Sequence, residues 1–157
     1  MKKAVNVEKD YFGLSLKEQM RFVKAAGFDG VFFNWEDTEE FKENVSFARE
    51  SGLAMASVHA PFDNICDMWT EEKPPIFYRL LKCIRDCGEL HIETVVCHVY
   101  IGFEEIAKPT EIGVKNFSLL LDEAEKHNVN LAFENTEGVI CLYKINLFQF
   151  LNIHQVY

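Results

Sequence analysis

The chain has 157 residues, 48% hydrophobic and 26% charged, enough for one domain with its own core and the make-up of an ordinary soluble globular protein. Twenty-five acidic against 16 basic side chains leave a net charge of −9, which argues against a nucleic-acid backbone or an anionic membrane as the main partner. No apolar run approaches a membrane span, no apolar signal core follows Met1-Lys2-Lys3, and the C-terminus carries no lipidation box.

In chain order, the pattern alternates strand and helix. Lys3 to Val7 is a short strand candidate. Ser15 then opens a helix, with Glu18 three residues on completing a capping box. Leu16, Met20, Phe22, Val23 and Ala26 form its apolar face and Gly27 ends it. Val31 to Phe33 is a second strand, and Thr38 to Ser51 a second helix with Phe41, Val45 and Ala48 on one side. Leu53 to His59 is a third strand. Pro74 to Cys87 is a third helix, with two prolines at its entrance and Gly88 as its stop. Thr94 to Val99 is almost continuously apolar, as a parallel strand buried on both faces would be. Thr110 to His127 is a fourth helix carrying Ile112, Val114, Phe117, Leu120, Leu121 and Ala124. Val129 to Phe133 is a fifth strand.

This alternation implies right-handed crossovers and a parallel sheet. The expected class is α/β, with about five parallel β/α units. The pattern leaves open whether they form a doubly wound sheet or part of a (β/α)₈ barrel. No G-x-G-x-x-G follows the first strand, and there is no P-loop, H-E-x-x-H or G-x-S-x-G. After Glu137 the character changes. Residues 138–157 hold one formal charge, Lys144, in twenty positions. This apolar segment reads either as a fifth helix or as a tail without an evolved role, left by a frameshift or a premature stop. The second reading is preferred, because an outer barrel helix should carry a solvated face.

Three polar residues stand at the ends of successive strands: His59 after the third, His98 after the fourth and Glu134 after the fifth. Ligands of parallel α/β proteins bind at the C-terminal strand ends. Two imidazoles and a carboxylate there suit Zn²⁺, Mn²⁺ or a related divalent ion. Side chains alternate along a strand, so Glu134 shares a face with Ala132, His98 with Val96 and His59 with Ser57. Each residue alone could instead bond a neighbouring loop or cap a helix. Trp35, Phe62 and Trp69 follow strands two and three, where they could pack the rim or stack on a sugar. Cys66, Cys83, Cys87, Cys97 and Cys141 are odd in number and irregularly spaced, which suits a reducing cytoplasm. Cys83 and Cys87 lack a second pair to complete a zinc site and read as free thiols.

The motifs GFDGVFF, SVHAPF, TVVCHVY and NFSLLLDEAEKHNVNLAFENT, in that order, resemble the second to fifth strands of the xylose-isomerase-like TIM barrels. That family includes sugar-phosphate isomerases and epimerases and the family 2 AP endonucleases. The resemblance covers residues 1–137, taken as the N-terminal portion of such a barrel, with 138–157 as an atypical apolar tail or helix. It implies a metal-dependent sugar or sugar-phosphate isomerase or epimerase working by proton transfer through a metal-stabilised enediolate. Glu134 would be both catalytic group and metal ligand, with His98 and His59 as further ligands of Mn²⁺, Mg²⁺, Co²⁺ or Zn²⁺. Trp35, Phe62 and Asn135 are the candidate substrate contacts.

The family's remaining ligands come from strands six to eight. Those would need roughly another hundred residues to reach the ~250 of a whole barrel. The barrel is therefore expected not to close within this chain. Impaired activity is expected, loss of the metal is left open, and the chain is expected to self-associate through its open sheet edges. The alternatives are an endonuclease-IV-like zinc phosphodiesterase acting on abasic DNA, and a non-catalytic binding or scaffold remnant. Nucleic acid is the less favoured partner on charge, and a cytoplasmic location is expected.

Overall fold

A computed structural model describes residues 2–99 and 110–134. The elements are β1 (Ala4–Asn6), α1 (Leu16–Ala25), β2 (Gly30–Asn34), α2 (Glu39–Glu50), β3 (Ala54–His59), α3 (Pro75–Glu89), β4 (Thr94–His98), α4 (Glu111–Lys126) and β5 (Asn130–Glu134), with 3₁₀ turns at Tyr11–Gly13 and Ile65–Trp69. Every strand and helix expected from the pattern is present, with bounds moved by one or two residues at most ends. The capping box opens α1: the Ser15 hydroxyl accepts from the Glu18 amide, and the Glu18 carboxylate accepts from the Ser15 amide at 2.8 Å. Thr38 and Thr110 cap α2 and α4 through their hydroxyls in the same way.

The five strands form one parallel sheet in the order β1-β2-β3-β4-β5. A doubly wound sheet reverses its strand order at a switch point. This sheet runs straight through its strands in chain order, as the wall of a (β/α)₈ barrel does. The architecture is therefore a partial barrel. Among the described residues β1 pairs only with β2 and β5 only with β4, so the sheet is open at both edges.

One face of the sheet is packed and the other is not. Val31 and Phe33 of β2, Val58 of β3, and Val95 and Cys97 of β4 are buried with Met20, Val45, Ala48, Leu80, Ile84, Phe117 and Leu120 from the helices. Each such large apolar side chain contributes roughly 1.5–3 kcal/mol by leaving water. The alternate residues face what would be the barrel interior and are more exposed, as with Asn6 on β1 and Asn130, Ala132 and Glu134 on β5. No described helix is long and apolar enough to cross a membrane.

Three details differ from the sequence expectation. Helix α3 runs through Gly88 and ends at Glu89. Gly88 is a packing residue there, since a Cβ on it would lie 2.8 Å from the His127 Cβ and 3.0 Å from the His127 carbonyl oxygen. In α1 the buried face takes Gln19 with Met20, while Phe22 is 65% exposed. Gln19 is accepted because its amide donates to the Leu14 carbonyl at 3.0 Å and to that of Glu8. In α4 the buried side carries Asn116, Phe117, Leu120 and Ala124, and Ile112 faces outward. The apolar segment 138–157 and the candidate Asn135 lie outside the described residues.

Candidate metal centre

His59, His98 and Glu134 are the last residues of β3, β4 and β5. Strand register brings them together. His98 stands directly opposite Glu134, and His59 stands opposite Val96, two residues below His98 on the same face. Neighbouring strands lie about 4.8 Å apart, within reach of these side chains. The Nε2 atoms of His59 and His98 lie 3.5 Å and 3.6 Å from Glu134 Oε2. One ligand atom from each residue falls within 4.8 Å of the others. Two metal–ligand bonds of about 2.0–2.2 Å at a tetrahedral angle separate their donor atoms by about 3.3–3.6 Å. The donor chemistry and spacing thus fit a divalent ion. Among the described residues this is the one cluster with that property.

The two histidines are held differently. His59 Nδ1 lies 2.9 Å from the Ala60 carbonyl oxygen, which only accepts, so Nδ1 carries the proton and Nε2 presents a lone pair. His98 Nδ1 is buried and meets no partner among the described residues. Burial chiefly, with the neighbouring His59 imidazole second, holds the His98 pKa below its ordinary value, and the Glu134 carboxylate opposes this only in part. His98 is therefore uncharged at neutral pH. The Glu134 side chain is 47% exposed, against 13% for His98, so the carboxylate is the member open to an incoming molecule.

Phe62 belongs to this cluster. Its ring stands edge-on to both imidazoles, with centroids 5.5 Å from His59 and 5.3 Å from His98. Trp35 does not. It alternates with Val31 and Phe33 onto the helix side, is 5% exposed, and donates its indole N–H to Asp86 on α3 at 3.0 Å. Lys82 ion-pairs with both Asp86 and Asp37, tying α3 to the segment after β2. The Lys82–Asp86 spacing of four is readable on a helix, but nothing local indicates that Trp35 closes the group from 51 residues away.

Trp69 is likewise buried, packed on Phe117, and donates to the Val99 carbonyl at 2.7 Å. Buried Asn116 on α4 donates to the carbonyls of Met68 and Glu71 and accepts from the Lys73 amide. These contacts pin the β3–α3 connection, which bears Phe62, onto α4. Cys83, Cys87 and Cys97 are buried; desolvation raises the Cys83 thiol and pushes that of Cys97 up to about 12, so both stay protonated.

The family model described as xylose isomerase-like TIM barrel matches residues 20–155. No curated protein shows a significant match. Among solved structures, the chain is similar to an AP endonuclease, family 2, from Brucella melitensis, with a TM-score of 0.74 and 16% identity over 97% of this chain and 65% of that one. It is also similar to a xylose isomerase-like TIM barrel protein from Mycobacterium smegmatis in complex with magnesium (TM-score 0.70, 16% identity, 95% of this chain and 60% of that one). A third is a D-psicose 3-epimerase with D-tagatose from Clostridium cellulolyticum H10 (TM-score 0.64, 13% identity, 97% and 60%). The chain thus spans about three-fifths of the length of these proteins, and at such identities the likeness establishes the fold.

Proposed function

Because the chain belongs to the xylose isomerase-like TIM-barrel family, we propose that His59, His98 and Glu134 hold a divalent metal ion at a site built for proton transfer beside the carbonyl of a sugar or sugar phosphate. The observation that carries this reading is the convergence of two imidazole nitrogens and one carboxylate oxygen within 4.8 Å at the C-terminal mouth of the sheet. Two similar structures point the same way, one a magnesium complex and the other an epimerase with a ketohexose.

The ion, when bound, supplies a Lewis acid that polarises substrate oxygens. His59 and His98 present their Nε2 atoms from a partly buried wall. Glu134 stands at the open side, where its carboxylate can take a proton from a carbon next to a carbonyl and return it. Phe62, 41% exposed, offers an apolar surface for the C–H face of a sugar. Asn135, the next residue in the chain, is the remaining proposed substrate contact. A second proton-transfer carboxylate is not found beside the three ligands among the described residues, so epimerase activity of this chain requires a group from elsewhere.

The test has two stages. Calorimetry with Mn²⁺ and Zn²⁺ on the wild type and on Glu134→Ala asks whether the site binds. The wild type is expected to bind one ion and the variant to bind at least tenfold more weakly. Equal affinities would remove Glu134 from the site. Incubation with ketoses and ketose phosphates in deuterated water then asks whether the carbon next to the carbonyl exchanges its proton.

The pair of histidines also favours a second reading, a zinc phosphodiesterase acting on abasic DNA, in line with the similar AP endonuclease structure. The net charge of −9 opposes it. Strand cleavage of an abasic duplex by the zinc-loaded chain would replace the sugar reading with this one.

A further inference from the structure

We infer that Phe62 is a positioning residue for the two imidazoles, holding His98 above all in the orientation that aims Nε2 at Glu134. The inference rests on the metal-site reading for its effect on affinity, while the orienting contacts lie between side chains of this chain.

Histidines that bind metal are ordinarily oriented by a hydrogen bond from the ring nitrogen that is not on the metal. His59 has one, from Nδ1 to the Ala60 carbonyl oxygen. His98 has none among the described residues, although its Nδ1 is buried. The torsion that turns an imidazole is broad and roughly two-fold, so an untethered ring rotates unless packing stops it. Two rings pack on His98. Phe62 meets it nearly perpendicular, at 78° and 5.3 Å between centroids, and His59 meets it tilted at 4.8 Å. Phe62 also meets His59, at 86° and 5.5 Å. The three ring centroids form a near-equilateral triangle, so a single phenyl ring packs on both imidazoles, and His59, fixed by its hydrogen bond, packs on His98 beside it.

Phe62 is itself well anchored. Its carbonyl accepts from the Ile65 amide at 3.1 Å, and the adjacent Asp63 is ion-paired with Arg79 of α3 at 2.9 Å. Its side chain, however, is 41% exposed, far from the near-zero exposure of the core residues. Removing the ring should disturb the site more than the fold. This combination, a fixed backbone under a half-exposed ring touching two candidate ligands, is what distinguishes a brace from a core residue.

The test compares the wild type, Phe62→Ala and Phe62→Tyr. In the metal-free protein, Phe62→Ala is expected to change the NOE contacts of the His59 and His98 ring protons with their remaining neighbours, which report ring orientation, and to leave those of His91 and His127 in place. With Co²⁺, its affinity is expected to fall about tenfold or more, with a changed visible absorption band. Phe62→Tyr keeps the ring and is expected to restore both. Thermal unfolding of the metal-free variants checks the fold. If Phe62→Ala changes neither the imidazole NOE contacts nor Co²⁺ binding while the wild type binds, the positioning role is overturned and the metal site stands. If the wild type takes up no Co²⁺ but the His59 and His98 NOE contacts still change, the metal reading falls and the positioning role stands.

Discussion

His98 owes its character to its surroundings rather than to its type. An imidazole at a strand end is ordinary in sequence. Here it is 13% exposed, beside a second imidazole, with its pKa held below the usual 6.5. The consequence for stability has a definite sign. Between the lowered folded value and 6.5, the unfolded chain binds more protons than the folded one, so unfolding becomes easier as the pH falls. The contribution is fully present above about 6.5 and is lost as the pH drops from there through the folded value. His98→Asn removes that titration. The gap in thermal stability between wild type and His98→Asn is therefore expected to shift in favour of the variant between pH 7.5 and pH 5. A gap that stays constant over that range would show that His98 titrates as it does in the unfolded chain. The residues that bear the candidate chemistry were legible as types at strand ends. The Phe62 contact on His98 and the diversion of Trp35 to Asp86 were not, because each depends on a neighbour 36 or 51 positions away.

Elements were more legible than contacts. Ser15 and Glu18 are three residues apart and report their capping box directly, since the bonds are local. Gly88 shows the limit of such reading. A glycine near a helix end looks like a stop, yet this one lies within α3 and is demanded by His127, which follows α4. Two effects oppose each other in Gly88→Ala. Alanine should favour the helix by about 1 kcal/mol. The added methyl would sit 2.8 Å from the His127 Cβ and 3.0 Å from its carbonyl oxygen, atoms that no side-chain rotation can remove. Overpacking of this kind costs about 1–3 kcal/mol, so net destabilisation is expected, read as a lower urea midpoint at unchanged slope. His127→Ala keeps the Cβ and should not rescue the variant. Rescue would place the conflict with the imidazole instead. Gly113 in α4 is a tighter case, since a Cβ there would lie 2.0 Å from the Trp69 ring. Gly113→Ala is expected to loosen the connection that carries Phe62.

At the scale of the whole molecule, the alternation of strand and helix gave the layers, but it could not decide between an open doubly wound sheet and a barrel wall. Strand order is a tertiary property, and only the sequential arrangement from β1 to β5 settles it. That same arrangement leaves one edge of β1 and one edge of β5 without a partner among the described residues. Exposed edges present rows of unsatisfied amides and carbonyls to any other strand. The sheet's inner face is more exposed than its helix face, with Asn6, Asn130 and Ala132 open to solvent. In a closed barrel both the edges and that face would be covered. A second copy can cover them by setting its β1 beside β5 of the first, which keeps every pairing parallel and, applied twice about one axis, leaves no free edge. A chain of this sequence is therefore expected to self-associate, with a mass that rises with concentration. Light scattering over a roughly hundredfold range of protein concentration reads this directly. Mutating the β1 edge, as in Ala4→Pro, removes one amide from the unpaired row, since Lys3 and Val7 on the alternate positions carry bonds to β2, and should weaken association without touching His59, His98 or Glu134. A monomer at every concentration would mean that the edges are protected within the chain itself.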